Sequence, residues 1–179
     1  MLSDDDRRTL LGLARRTVEA AARSERTPDL TNPSGALREK GAAFVSLHVD
    51  GQLRGCVGHV QAVVPLWESV RDMAVAAAER DGRFEPLRPG ELDRLAVEIS
   101  VLSPMAPLRP EDVRVGVHGL YVRSNPHAGL LLPKVAVEHG WTAAEFVRHT
   151  YEKAGLPPGF PGASLFGFTA EAFQDPPRP

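Results

Sequence analysis

Apolar residues recur at three- and four-residue steps in three stretches of the chain, a spacing that predicts amphipathic α-helices. The first stretch begins after Ser3, whose side chain can cap the free backbone N–H groups of a helix start. The third begins at the capping box Thr142-Ala143-Ala144-Glu145 and ends at Gly155, a residue type that favours helix C-termini. The pattern therefore predicts helices over about 4–26, 66–80 and 143–154, and a short helix opened by Pro133.

Alternation of apolar and polar residues predicts strands elsewhere. Two such runs flank Asp50-Gly51 and predict a β-hairpin, because both residues of a two-residue turn must take positive φ. This turn would place Arg54 and Cys56 on the face of the hairpin that carries Val45. Further strands are expected in LAVEISVL, in VRVGVHGLYVRS (a strand pair or one bent strand), around Leu130 to Leu132 and in SLFGFTAEAF.

The order of these elements predicts an α+β fold with an antiparallel or mixed sheet flanked by helices. With 179 residues, the chain is too short for two ordinary independent domains. We therefore expect one domain over 1–179, in which 174–179 form a loose tail. Turn-rich stretches after Asp81 and Ser103 would allow two lobes to form around one cleft.

Composition and charge exclude several classes of function. The net charge is −2 and the basic residues are scattered, which argues against a nucleic-acid-binding surface. No apolar run approaches the roughly 20 residues that span a bilayer, and no secretory signal is evident. The single cysteine excludes an internal disulfide. Together these observations predict a cytoplasmic protein that binds no membrane.

The single cysteine, Cys56, lies in the sequence LRGCVGH and has two interpretations. As a functional group it would be a thiolate nucleophile, stabilised by the positive charge of Arg54. As a structural group it would be a small buried hydrophobic residue, which is the commoner role of a free cysteine. Glycine weakens a strand interior. Because it has no side chain, Gly55 and Gly58 favour a close approach of a ligand or of another backbone.

Cys56 and His59 have the spacing of half a metal site or of an acid–base pair. On a regular strand the two side chains point to opposite faces, so the pair requires a bend at Gly58. The remaining histidines show no metal-binding spacing. The glycine-rich phosphate-binding motifs and the Gly-x-Ser-x-Gly signature are absent, and no metal or cofactor is predicted.

Four other charged or polar residues and one aromatic residue have a functional interpretation. Asp81 and Arg83, after the second predicted helix, would hold an acidic or polar substrate or pair with each other, and Phe84 would line that site or pack in the core. Glu98 lies within a strand and is a candidate general base or a solvated polar residue. His118, flanked by glycine, is a candidate acid–base group or a turn residue.

An ordered set of motifs resembles the AMMECR domain family, which in prokaryotes includes protein A of the AmmeMemoRadiSam system. The resemblance covers about residues 8–174. It implies an α+β fold with a larger and a smaller lobe, a cleft, and the Arg-Gly-Cys segment near the lobe junction. The motifs are GAAFVSLHVDGQLRGCVGH, PLWESVRDMAVAAAERDGRFEPL, ELDRLAVEISVLSP, VGVHGLYV, GLLLPKVAVEHGW, FVRHTYEKAGL and LFGFTAEAF.

The resemblance further implies a protein of unsettled activity, an accessory or adaptor component that acts with Memo-like and radical-SAM partners. The alternative is a cysteine-dependent enzyme, which would use Cys56 on a small or anionic substrate bound in the cleft. Carried over by motif, the candidate catalytic residues are Arg54, Cys56, His59, Glu98 and His118, and the candidate binding residues are Gly55, Gly58, Asp81, Arg83, Phe84 and Gly119.

Two positions depart from the family pattern. Tyr151 stands where relatives often have a cysteine, so a mechanism that needs two cysteines cannot operate within this chain. Lys134 stands where glutamine is common, which leaves a binding role at that position open.

Overall fold

The computed structural model describes residues 2–175, which form helices and strands in the predicted α+β arrangement. The helices are α1 (Asp4–Ala22), α2 (Gly35–Arg38), α3 (Leu66–Glu79), α4 (Pro133–Glu138) and α5 (Ala143–Lys153). The strands are β1 (Ala42–Val49), β2 (Gln52–Gly58), β3 (Leu95–Leu102), β4 (Ala106–Pro107), β5 (Gly119–Ser124), β6 (His127–Leu131), β7 (Ser164–Phe168) and β8 (Ala170–Gln174). Short 3₁₀ turns occupy Pro89–Arg94 and Pro110–Asp112.

The chain divides into two compact units. The first comprises the residues up to Val101 and those from Ala172 onward, and the second comprises residues 102–171. The expectation of one domain over 1–179 stays a prediction. Of the predicted tail, Gln174 ends β8 and Asp175 is buried, while 176–179 lie outside the described residues.

In the first unit, four strands form a sheet in the order β2-β1-β3-β8. β1 and β2 pair antiparallel through the predicted turn, in which Asp50 and Gly51 have φ angles of 51° and 77°. α3 packs on both of these strands and also against α1. Apolar side chains of the two helices and of one sheet face form a single core that includes Leu10, Val18, Val45, Val70, Val97 and Ile99.

α1 begins where the sequence predicts, because Ser3 and Asp6 form a reciprocal capping box. It ends at Ala22, short of the predicted end. Ser24 takes a left-handed conformation with φ 56°, and the N–H of Glu25 donates to the carbonyl oxygen of Ala20. This backbone reversal closes the helix one turn early.

In the second unit, the strands form a sheet in the order β4-β7-β5-β6, and the pairs within it are antiparallel. α5 packs on β5 and β6, and its start is the predicted capping box of Thr142 and Glu145. Gly155 follows the helix with φ 71°, as its predicted role at the C-terminus requires. Pro133 occupies the first turn of α4, also as predicted.

Two strand predictions need correction. The predicted last strand is two strands, because β7 pairs with β4 and β5, whereas β8 belongs to the sheet of the first unit. Thr169 separates them and bonds to Ser103 through its N–H and its carbonyl oxygen. The predicted strand over VRVGVHGLYVRS begins only at Gly119, because the preceding residues form a turn in which Gly116 has φ 79°.

A prediction concerns the close approach of β2 to α3. A Cβ atom built on Gly55 would lie 2.2 Å from the carbonyl oxygen of Ala77, a backbone atom that cannot move aside. We expect Gly55→Ala to lower the free energy of unfolding by about 3 kcal/mol, measured by urea denaturation. The control is Gly35→Ala, where a Cβ meets nothing within 4 Å and no loss is expected. Equal stabilities of the two variants would contradict this packing.

Candidate functional site

A β-bulge in β2 changes the register that the tight turn alone would set. The first two residue pairs after the turn are as predicted, but the register then shifts, and Arg54 is the extra residue. Cys56 consequently lies opposite Ser46 and not opposite Val45. Residues directly opposite each other share a sheet face, so the predicted face of Cys56 is wrong.

The two faces of this sheet have different chemistry. The face toward the helices carries Val45 of the core and Gly55, which contacts α3. Glu98 of β3 lies between Val97 and Ile99, which both point into the same core, so alternation places Glu98 on the other face. Both serines of that other face are buried, whereas its cysteine and glutamate are half-buried. The polar residues on it are Ser46, Cys56, Glu98 and Ser100.

Three hydrogen bonds define the surroundings of Cys56. Its thiol accepts from the hydroxyl of Ser46, with an Oγ–Sγ distance of 3.1 Å. Its backbone N–H donates to Oδ2 of Asp81 at 2.8 Å, and its carbonyl oxygen accepts from the guanidinium of Arg83 at 3.1 Å. The guanidinium that bonds to Cys56 is therefore that of Arg83, whereas the sequence pointed to Arg54.

Asp81 and Arg83 pair with each other, which was one of the two interpretations of their sequence. Arg83 donates to both carboxylate oxygens of Asp81, with distances of 2.9 and 2.6 Å, and its guanidinium carbon lies 5.4 Å from the ring centroid of Phe84. The hydrogen bonds from Arg83 lower the pKa of Asp81 to about 2, although burial acts in the opposite direction. The Asp81 side chain is only 8% exposed and that of Arg83 is 51% exposed, so the carboxylate is shielded whereas the guanidinium is partly in solvent.

Arg54 is bound to residues other than the cysteine. Its guanidinium donates to both carboxylate oxygens of Glu91, at 2.8 and 3.1 Å, and to the carbonyl oxygens of Glu85 and Pro86, at 2.6 and 3.3 Å. Burial acts to raise the pKa of Glu91, but the hydrogen bonds from Arg54 and from the Arg88 N–H outweigh it and lower the pKa. Arg54 thus ties β2 to the segment that follows α3.

The predicted Cys56–His59 pair is not formed. Nδ1 of His59 lies 2.9 Å from the hydroxyl oxygen of Ser69, a buried residue of α3. His59 therefore turns toward the helix side of the sheet, while the thiol lies on the other side. The two side chains therefore bond to partners on different sides of the sheet, and an acid–base role of His59 toward the thiol has no geometric support.

His118 belongs to the second unit and closes a turn. Its ring Nδ1 accepts a hydrogen bond from the backbone N–H of Arg114 at 3.2 Å. The backbone N–H of His118 donates to the carbonyl oxygen of Arg114. These contacts match the interpretation of His118 as a turn residue.

Gly58 and Gly119 share one structural role. A Cβ on Gly58 would lie 2.2 Å from the ring of Phe44, and a Cβ on Gly119 would lie 2.3 Å from the ring of Phe168. Each phenylalanine is the cross-strand partner of its glycine. The two glycines therefore make room for aromatic rings of this chain.

Further observations concern residues 2–175. In that range, no group of three or more His, Cys, Asp and Glu side chains has the arrangement of a metal site. No helix in the described range is both long and apolar enough to cross a membrane. Tyr151, one of the two departures from the family pattern, is buried in the core of the second unit.

Sequence reasoning missed the residues that bind the candidate side chains. Glu91 lies 37 residues after its partner Arg54, and no local pattern connects the two. Ser46 becomes the partner of Cys56 only because of the bulge, which the turn sequence does not reveal. Ser69 lies on the buried side of α3, and this position was the only signal that could have pointed to it as the partner of His59.

A pH prediction follows from the ion pair of Asp81. Its folded-state pKa of about 2 lies below the ordinary value of 3.8, so the pair stabilises the fold fully above pH 4 and loses its effect as the pH falls toward 2. We expect Asp81→Asn to lower the free energy of unfolding by about 2 kcal/mol at pH 7. In urea denaturation, this difference should shrink between pH 4 and pH 2.

The control for the pH prediction is Asp93→Asn. Asp93 is exposed, and a substitution there should change stability by no more than about 0.5 kcal/mol at any of these pH values. A difference between wild type and Asp81→Asn that stays constant down to pH 2 would contradict the assignment.

Comparison with known proteins agrees with this fold. The model of the AMMECR1 family matches residues 11–173. A protein of Aeropyrum pernix is 49% identical over 166 residues, which cover 87% of this chain and 71% of that protein. A protein of Methanothermobacter thermautotrophicus is 40% identical, covering 97% and 96%. The crystal structure of an uncharacterized protein from Pyrococcus horikoshii matches with a TM-score of 0.92 and 35% identity, covering 97% of this chain and 93% of that one. The chain therefore belongs to the AMMECR1 family.

Proposed function

We propose that this protein is a cytoplasmic accessory or adaptor component that acts with Memo-like and radical-SAM partners and does not itself carry out catalysis. The observation that carries the proposal is the set of hydrogen bonds that the Arg54 guanidinium makes within the chain. Its guanidinium is held by one carboxylate and two backbone carbonyl groups of the segment 85–91. It is therefore not available to stabilise a thiolate or to hold an anionic substrate.

The other candidate residues support the same proposal. His59 bonds to Ser69 of α3, and His118 closes a turn in the second unit. The glycines of the cysteine motif are explained by close contacts with α3 and with Phe44. The motif residues therefore have structural partners within the chain, which leaves them no evident catalytic role and favours an accessory function.

The direct test is reconstitution with defined partners. We expect the chain to form a complex with the Memo-like protein, the radical-SAM protein or both from the same organism, when they are co-expressed and analysed by size-exclusion chromatography. Cys56→Ser should form the same complex, because the adaptor role does not use the thiol. Elution of the chain apart from both partners would overturn the proposal.

A second prediction separates a structural from a chemical role of Arg54. Arg54 and Glu91 are each 19% exposed, so Arg54→Met removes the guanidinium from a shielded carboxylate, which keeps the hydrogen bond from the Arg88 N–H. We expect a loss of about 3 kcal/mol in the free energy of unfolding. The double variant Arg54→Met/Glu91→Met should regain most of this loss, because it removes both charges. Full stability of the single variant would argue for a chemical role instead.

A cysteine-dependent enzyme is the second candidate, favoured by the surroundings of the sulfur. The hydroxyl of Ser46 donates to the thiol, and the guanidinium of Arg83 donates to the carbonyl oxygen of the same residue. The adaptor proposal predicts that Cys56 reacts with iodoacetamide at pH 7 no faster than N-acetylcysteine does. A rate about tenfold or more above that reference, abolished in Arg83→Ala, would favour the enzyme.

A further inference from the structure

β2 is an edge strand, and its outer edge is where the main-chain groups of Cys56 point. The N–H of Cys56 donates to Asp81 and its carbonyl oxygen accepts from Arg83, both on the side away from β1. Unpaired N–H and C=O groups at a sheet edge form a template on which another strand can pair. In this chain, side chains occupy the place of that strand.

Asp81 and Arg83 together reproduce the pairing groups of a neighbouring strand. The carboxylate accepts from the N–H of Cys56, the guanidinium donates to its carbonyl oxygen, and two hydrogen bonds join the carboxylate to the guanidinium. Next to this pair, Arg54 donates to the carbonyl oxygens of Glu85 and Pro86 and holds the following residues along the same strand. The segment 81–86, called here the edge cover, therefore lies along β2.

β2 has few protecting features of its own. Its sequence, QLRGCVG, contains neither lysine nor proline, the residues that commonly discourage pairing at an edge. The bulge at Arg54 interrupts only its first half, and Leu53 is 41% exposed. Glycine-rich strands are also weakly specified in their pairing. Protection of this edge thus depends on the edge cover.

We propose that the edge cover keeps this chain from associating with a second copy of itself through β2, paired antiparallel about Cys56. A residue whose N–H and C=O both point outward can satisfy both groups with the same residue of an antiparallel copy. This arrangement has twofold symmetry and closes on itself, as the interfaces of most homodimers do. A second copy is therefore the occupant whose hydrogen-bonding groups match this edge.

The register about Cys56 fixes the neighbours of the other residues. Gly58, which is covered by the ring of Phe44 and has no side chain of its own, would lie opposite residue 54 of the second copy. The two Cys56 residues would have Cα atoms about 5.5 Å apart, with both thiols on one sheet face. Because the chain has a single cysteine, a thiol cross-link between copies can join only Cys56 to Cys56, which this register places side by side.

The test removes the ion pair of the edge cover. We expect Asp81→Ala/Arg83→Ala to form a concentration-dependent dimer in light scattering, while the wild type stays monomeric. With a short bismaleimide, the variant should give about tenfold more cross-linked dimer than the wild type, which corresponds to about 1.4 kcal/mol. The control is Arg109→Ala/Asp112→Ala, which removes an exposed arginine–aspartate ion pair of the second unit, and it should behave as the wild type does.

Two results would overturn the proposal. One is a folded, monomeric double variant whose Cys56 amide hydrogen exchanges faster than in the wild type, since the edge would then be open and still unpaired. The other is a wild-type chain that cross-links as well as the variant. If the double variant does not fold, Arg83→Ala frees only the carbonyl oxygen and should give an intermediate yield of dimer, and a monomer would count against the proposal. The measurement uses no partner protein, so its outcome is independent of the adaptor test.

Discussion

Charged side chains hold the edge strand β2 through its main-chain atoms, and the candidate site depends on this attachment. Asp81 and Arg83 bond to the N–H and carbonyl oxygen of Cys56, while Arg54 bonds to carbonyl oxygens of the segment 85–91. Hydrogen bonds with an ionised partner are the strong ones, and unpaired main-chain groups at a shielded edge are costly. The arginine of the cysteine motif therefore has a structural role, and the hydrogen-bond partner of the Cys56 thiol is Ser46.

Residue size sets a second constraint, and it acts in both sheets. Gly55 lets the carbonyl oxygen of Ala77 approach the strand, so α3 can lie close on β2. In each sheet, a glycine faces a phenylalanine of the neighbouring strand, whose ring covers it: Gly58 with Phe44, and Gly119 with Phe168. Aromatic cover of a strand glycine supplies the packing that the glycine itself lacks. Glycines that suggest a ligand site in the sequence are therefore accounted for by packing within the chain.

Local sequence signals predicted most helices and strands, whereas features that depend on contacts between distant residues were not predicted. The Asp50-Gly51 turn, the N-cap at Ser3 and the capping box at Thr142 were predicted from neighbouring residues. The split of the last predicted strand at Thr169 was missed, because alternation continues across it while the strand partner changes. For the candidate site, the sequence named Asp81 and Arg83 but missed Ser46, and it assigned the guanidinium neighbour of Cys56 to Arg54, since a regular strand was assumed.

The sequence by itself determined the element types, the hairpin and the family, because periodicity, turn chemistry and ordered motifs are properties of adjacent residues. Only the tertiary structure decided which face carries Cys56 and which arginine bonds to it. A single bulge residue reverses the sheet face of every residue beyond it. Arg54 and Glu91 meet only because the chain folds back along β2 after α3. Contacts of this kind are set by the folded path of the backbone, and no local pattern encodes them.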